Sequence, residues 1–249
     1  MSIPEEKLRN IKNLCKEWLT KTVVTKRELQ SLLGSLLYVS KCIKIARIFL
    51  SRMLDTLRRH HTRGKIDLDT DFKRDLVWFY KFSIQFNGVA FFDKRSVQAT
   101  VELDASLTGM GAVWGNMVYA VPLVKTFSMF SIVHWEMFNI LIALKVWGHM
   151  WKNKKIHIKC DNQAVVSILN TCKSTDKYLR AIARNILFLC AMNDIHLITT
   201  HILGKTNIIA DILSRWFENS HAAEILHSVL PESIWVKVEN CDLNIDWYI

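Results

Sequence analysis

Residues 101–121 read VELDASLTGMGAVWGNMVYAV, and here the hydrophobic period of the chain changes. Val101 and Leu103 alternate with Glu102 and Asp104, the two-residue period of a strand with one face turned inward. Small residues follow (Ala105, Ser106, Gly109, Gly111), then the short apolar stretches Ala112–Trp114 and Val118–Val121. The segment therefore predicts a three-strand meander beginning near Gln98. Downstream, Met137, Ile140, Leu141, Leu144 and Trp147 form a helical stripe that predicts a long helix over roughly His134–Trp151. Ile156, Ile158 and Cys160 mark a fourth strand, helical segments cover about Asn162–Leu169 and Lys177–Met192, and Ile195–Thr200 is a fifth strand. Asn207 is read as the cap of a last helix, Ile208–Trp216. The order β-β-β-α-β-α-α-β-α implies an α/β fold with a mixed five-stranded sheet, whose fourth and fifth strands are reached by helical crossovers.

Upstream of this region the chain reads as helices. Leu8, Ile11, Leu14 and Trp18 recur at helical spacing. Thr25 with Glu28 forms a capping-box pattern ahead of Leu29, Leu32, Leu33, Leu36 and Leu37. A third helix is expected over Ile45–Arg59 and a fourth over about Asp71–Phe86, closed by an Asn87-Gly88 turn. The domains expected are a basic all-α segment at 1–65, a helical tether at 66–97, an α/β domain at 98–217 and a tail at 218–249. Charge follows the same division: residues 1–65 hold 15 Lys/Arg against 5 Asp/Glu, whereas 66–249 hold 18 of each. A basic front on a neutral body points to an arm for a polyanion, with a solvated helical face as the plainer alternative.

Half of the residues are hydrophobic and 22% are charged, which excludes global disorder. No apolar run reaches the roughly 18–20 residues that span a bilayer, and the start, MSIPEEKLRN, has no apolar signal core. An intracellular protein with no membrane partner is the expectation. The six cysteines form no C-x-x-C pair, which fits a reducing compartment. The nine histidines form no cluster with metal-ligand spacing.

Four acids occupy special places in this layout. Asp104 ends the first strand and Asp161 the fourth, where open α/β sheets gather their ligands. Glu136 is expected in the first turn of the long helix and Asp211 in the first turn of the last one. Singly, each has a structural use: turn former, neighbour of a cap, or complement to a helix dipole. Together they form a set that repels itself by about 4 kcal/mol per pair at about 4 Å and an effective dielectric near 20. Such a nest calls for cations, and hard oxygen donors call for Mg²⁺, with Mn²⁺ as the alternative.

The segments VELDAS (101–106), HWEMFNILIAL (134–144), IKCDNQAVV (158–166) and HILGKTNIIADILSRW (201–216) resemble a retroelement ribonuclease H domain, of the kind found in DIRS-type retrotransposons. The likeness covers about 98–217 and includes the four acids in D-E-D-D order. Upstream, TKRELQSLLGSLLYVSK (25–41) resembles a reverse-transcriptase thumb and connection, and DLVWFYKFSIQFNGVAFF (75–92) resembles the tether before the ribonuclease domain.

The resemblance implies two-metal hydrolysis of RNA paired to DNA, with two Mg²⁺ ions. Asp104 would bridge both, Asp211 would complete the site that activates water, and Glu136 with Asp161 would hold the ion at the leaving oxygen. His201 matches the family's mobile histidine, and Asn162 and Gln163 match positions facing the minor groove of the hybrid. Since residues 66–249 are neutral as a whole, grip on nucleic acid is expected from Lys41, Lys44, Arg47, Arg52, Arg58 and Arg59. No Asp-Asp dipeptide occurs, so DNA synthesis is not expected, and the chain resembles a piece of a longer polyprotein whose other domains are its expected partners. Two rivals stay open: a catalytically silent nucleic-acid-binding remnant, and a DNA exonuclease or integrase of the same fold class.

Overall fold

The computed structural model describes residues 3–43, 45–59, 64–83, 95–123 and 129–238. The chain divides into two compact units, Met1–Asp93 and Lys94–Ile245.

In the first unit, α1 (Glu5–Thr20) buries Leu8, Ile11, Cys15 and Trp18. Cys15 takes the inward place expected of Leu14, which is half-buried. A short strand β1 (Val23–Thr25) leads into α2 (Lys26–Cys42). The expected capping box is present: the Glu28 amide donates to Thr25 Oγ1 at 3.3 Å and the Thr25 amide donates to Glu28 at 2.7 Å. The third helix is two pieces, α3 (Ala46–Phe49) and α4 (Ser51–Arg59). Strand β2 (Lys65–Asp67) pairs antiparallel with β1, so this unit carries a two-stranded ribbon that the helical reading did not foresee. Helix α5 (Thr70–Phe82) starts at Asp69, whose carboxylate accepts from the Phe72 amide at 2.7 Å. The expected Asn87-Gly88 turn lies outside the described residues.

The second unit holds the expected mixed sheet flanked by helices. Its elements are β3 (Ala99–Ala105), β4 (Gly109–Trp114), β5 (Met117–Pro122), α6 (Ile132–Trp147), β6 (Lys155–Cys160), α7 (Gln163–Thr171), α8 (Lys177–Met192), β7 (His196–His201), α9 (Ile208–Ser214), α10 (Ala222–Val229) and β8 (Ile234–Trp235). The strand order is β7-β6-β3-β4-β5-β8. The first three strands form the antiparallel meander, and β6 and β7 add in parallel after their crossovers. The sheet has a sixth strand, β8, lying parallel to β5. Two residues are too few to show a period, which is why the tail gave no strand signal. Behind it, α10 packs Ala222 and Leu226 against Val113, Val118, Ile212 and Leu213, and Trp216 meets Trp235 at 4.5 Å.

The five described cysteines are buried free thiols, and Cys241 lies outside the described residues. Among the described residues, no helix is long and apolar enough to cross a membrane.

Candidate active site

The parallel pairing of β3 and β6 sets the register of the site. Glu102 lies level with Lys159, so two residues further on Asp104 and Asp161 leave the sheet side by side at its carboxyl edge. Helix α6 brings Glu136 to them. It begins at Ile132, where Ser131 and His134 form a capping box, so Glu136 falls in the second turn and not the first. That correction moves Glu136 away from the helix end and into the interior: it is 3% exposed, and its Oε1 accepts from the Ala105 amide at 3.3 Å. Burial first, then the charges of Asp104 and Asp161, push the Glu136 carboxyl up to about 9.

The fourth acid arrives through two glycines. Helix α9 packs directly on β4, where a Cβ on Gly109 would lie 2.7 Å from the Ser214 carbonyl oxygen and one on Gly111 would overlap Leu213. Gly111 is the cross-strand partner of Asp104, so the close approach sets α9 beside that carboxylate. Asp211 stands in the first turn of α9, as expected. Asn207 occupies the cap position, but its side chain does not cap: its Nδ2 donates to the Leu103 carbonyl at 2.8 Å, tying the start of α9 to β3.

Asp104 is 6% exposed, and Ser214 Oγ donates to its Oδ2 at 2.5 Å. Burial raises its pKa to about 6 against the lowering effect of that hydroxyl, with Asp161 and Asp211 adding to the rise. Asp161 and Asp211 thus act on Asp104, and Asp104 and Asp161 act on Glu136. Ligand atoms of Glu136, Cys160 and Asp161 lie within 4.8 Å of one another. The Cys160 thiol donates to Glu136 at 3.7 Å, and burial keeps it protonated. This set of hard oxygens, with Glu136 held protonated at neutral pH by burial and by its charged neighbours, fits a divalent cation of the Mg²⁺ or Mn²⁺ kind. Asp104, Glu136, Asp161 and Asp211 would hold it.

His201 ends β7 and is exposed; one ring nitrogen lies 3.1 Å from the Asp161 carbonyl oxygen. Gly204 lets the following turn pass close, since a Cβ there would sit 3.2 Å from Asp161 Oδ2. Asn162 caps α7, its Oδ1 accepting from the Ala164 and Val165 amides at 3.1 and 3.4 Å, which leaves its amide nitrogen for a ligand. Gln163 opens α7 and is exposed. The basic candidates belong to the other unit. Lys41, Arg47, Arg58 and Arg59 are exposed there, and Lys44 lies outside the described residues. Arg52 differs from the expectation: it lies 3.5 Å from Asp71 and 3.7 Å from Asp75, so its charge is already answered by carboxylates of α5.

Asn139 escaped the sequence reading. It is fully buried one turn beyond Glu136, and its Nδ2 donates to the carbonyls of Asp104 and Gly111 at 2.8 Å each, while Tyr119 donates to its Oδ1 at 2.7 Å. It joins α6 to both central strands beside the carboxylates. The only sequence signal was one amide in the stripe Met137–Leu144. Ser214 and Gly111 were equally silent, because their meaning is a contact with an element distant in sequence.

No family model and no curated protein matches the chain. Among solved structures, ribonuclease H1 of Halobacterium salinarum NRC-1 is similar at 18% identity and a TM-score of 0.40, over 51% of this chain and 98% of that one. A foamy viral protease-reverse transcriptase in complex with dsDNA is similar at 14% identity and a TM-score of 0.32, over 78% of this chain and 41% of that one. Its dRH form, also with dsDNA, gives 14% and 0.32 over 81% and 36%. The chain thus spans well under half the length of the viral proteins.

Proposed function

We propose that the chain is a divalent-cation-dependent ribonuclease H that hydrolyses the RNA strand of RNA–DNA hybrids during retroelement reverse transcription. What supports this reading is the parallel pairing of β3 and β6 together with the charge coupling of Asp104 to Asp161 and Asp211 and of Glu136 to Asp104 and Asp161. Held by Asp104, Glu136, Asp161 and Asp211, two Mg²⁺ ions would supply activation of water and charge stabilisation at the leaving 3′-oxygen. The chain's own groups do the rest. Ser214 and Asn139 hold the Asp104 carboxylate and its backbone in place. His201, at the exposed strand end beside Asp161, is placed to move a proton at the rim. Asn162 and Gln163 offer amides to 2′-hydroxyls of an A-form groove. The basic segment 1–65, through Lys41, Arg47, Arg58 and Arg59, supplies grip on nucleic acid, and it is the thumb and connection of a DIRS-type polyprotein in this reading.

Buried, mutually repelling carboxylates disfavour the silent-remnant alternative, because a scaffold gains stability by replacing them. The test is purified protein with Mg²⁺ on a labelled hybrid beside duplex DNA and duplex RNA. Hybrid cleavage that Asp104→Asn abolishes while affinity stays within a few-fold supports the proposal. Binding without cleavage by both proteins makes the chain a remnant, and equal cleavage of duplex DNA removes the hybrid assignment.

A further inference from the structure

Arg215 is the cation of the carboxylate nest. Its Nε donates to Asp211 Oδ1 at 2.8 Å, and Asp104 and Glu218 also act on its charge. The side chain is 57% exposed, and among the described residues Asp211 is its one hydrogen-bond acceptor. The terminal nitrogens of the guanidinium are therefore left for another partner. Residue 215 closes α9, its amide bonded to the Asp211 carbonyl, so the side chain rises from the same turn as the acid it pairs with.

An exposed Asp–Arg pair four residues apart is ordinarily a weak helix-surface contact. Here the acid belongs to a cation site, and that changes what the pair does. With the site free of metal, the guanidinium offsets part of the negative charge that Asp104, Asp161 and Asp211 concentrate. Once Asp211 is engaged by a divalent ion, the arginine is repelled by that ion and loses its acceptor. A phosphodiester at the nest is then the anion within its reach, and the planar fork matches two phosphate oxygens at once.

We propose that Arg215 is a placeholder that exchanges Asp211 for a phosphate of the nucleic acid when divalent cations load the site, so that cation loading strengthens the grip on substrate. This rests on reading the four acids as a cation site, as above.

The test compares full-length wild type, Arg215→Ala and Arg215→Lys in two measurements that require no turnover. In calorimetry with Mg²⁺ alone, Arg215→Ala should bind the ion roughly 2- to 5-fold more tightly than wild type, having no competitor for Asp211. In fluorescence anisotropy with a labelled hybrid, wild type and Arg215→Ala should bind alike in chelator. With Ca²⁺ in place of Mg²⁺, wild type should bind about 5- to 10-fold tighter than Arg215→Ala, with a log–log salt slope steeper by roughly 0.9, the value of one phosphate contact. Arg215→Lys should keep the slope and lose part of the affinity.

An equal loss of hybrid affinity with and without Ca²⁺ would overturn the exchange and make Arg215 a static surface charge. Unchanged affinities for both ligands would reduce the pair to a helix-end contact. Those results leave the nuclease reading standing if wild type still binds Mg²⁺ and cuts hybrid. A wild type that takes up no Mg²⁺ overturns both.

Discussion

Replacing Asp104 with Asn should stabilise the cation-free protein by an amount that grows with pH. The Asp104 carboxyl titrates near 6 in the fold, against about 3.9 in an unfolded chain. Below about pH 4 both states hold the proton, and the wild-type acid and the amide behave alike. As the pH rises, the unfolded chain releases its proton first while the buried site keeps it. The raised pKa thus confers stability that is complete below the unfolded value and is lost as pH passes through the folded one. At about 1.36 kcal/mol per pKa unit, roughly 3 kcal/mol has gone by pH 7–8. The Asn side chain carries no charge and still accepts the Ser214 hydroxyl, so it escapes this loss. Urea unfolding in chelator, followed by tryptophan fluorescence from about pH 4 to 8, should show a difference rising from near zero to about 3 kcal/mol. At the upper end that is roughly 6–12 °C in Tm for a domain of this size. Over this range the Glu136 carboxyl, held near 9, remains protonated in the folded state. Mg²⁺ should reverse the order, adding about 2.7 kcal/mol to wild type at a hundredfold excess over Kd and nothing comparable to the variant. A pH-independent difference, or a variant less stable than wild type at pH 8, would refute the buried and repelled carboxylate.

Other changes probe the scaffold and the grip. Gly111→Ala should lift α9 off β4, costing more than about 2 kcal/mol and removing most of the Mg²⁺-induced rise in Tm, because the new methyl overlaps Leu213. Asn139→Leu should destabilise by about 2–4 kcal/mol in urea titrations, since two buried strand carbonyls lose their donor together; a cost under about 0.5 kcal/mol would deny the residue its bridging place. His201→Ala should slow hybrid cleavage in steady-state assays while the Mg²⁺-induced rise in Tm stays at the wild-type value. Changing Lys41, Arg58 and Arg59 together to Gln should flatten the log–log salt dependence of hybrid binding by roughly 2–3 units, and an unchanged slope would exclude these side chains from the interface.

Much of the sheet was legible because strands and helices advertise themselves through local periods. Val101 and Leu103 alternate with Glu102 and Asp104, and that alternation places an acid at a strand end whatever lies elsewhere. The short connections then confined β6 to a parallel place beside β3, which made the meeting of Asp104 and Asp161 an inference from chain order. Boundaries were less legible. A cap made of Ser131 and a histidine, not an acid, hid the true start of α6 and shifted Glu136 by a turn. The basic face of the first unit misled in a different way: charge can be counted from sequence, but whether Arg52 faces solvent or Asp75 cannot.

By itself the sequence determined the order of the central elements from β3 to α9, the two-part distribution of charge and the four candidate acids, since each of these is local along the chain. Only the tertiary structure decided that Asn139, Ser214 and Gly111 belong to the same site. Their parts consist of contacts with residues brought near by folding, at a strand carbonyl, a carboxylate or a helix backbone. An amide in an apolar stripe or a glycine in a strand carries no local mark of what will be packed against it.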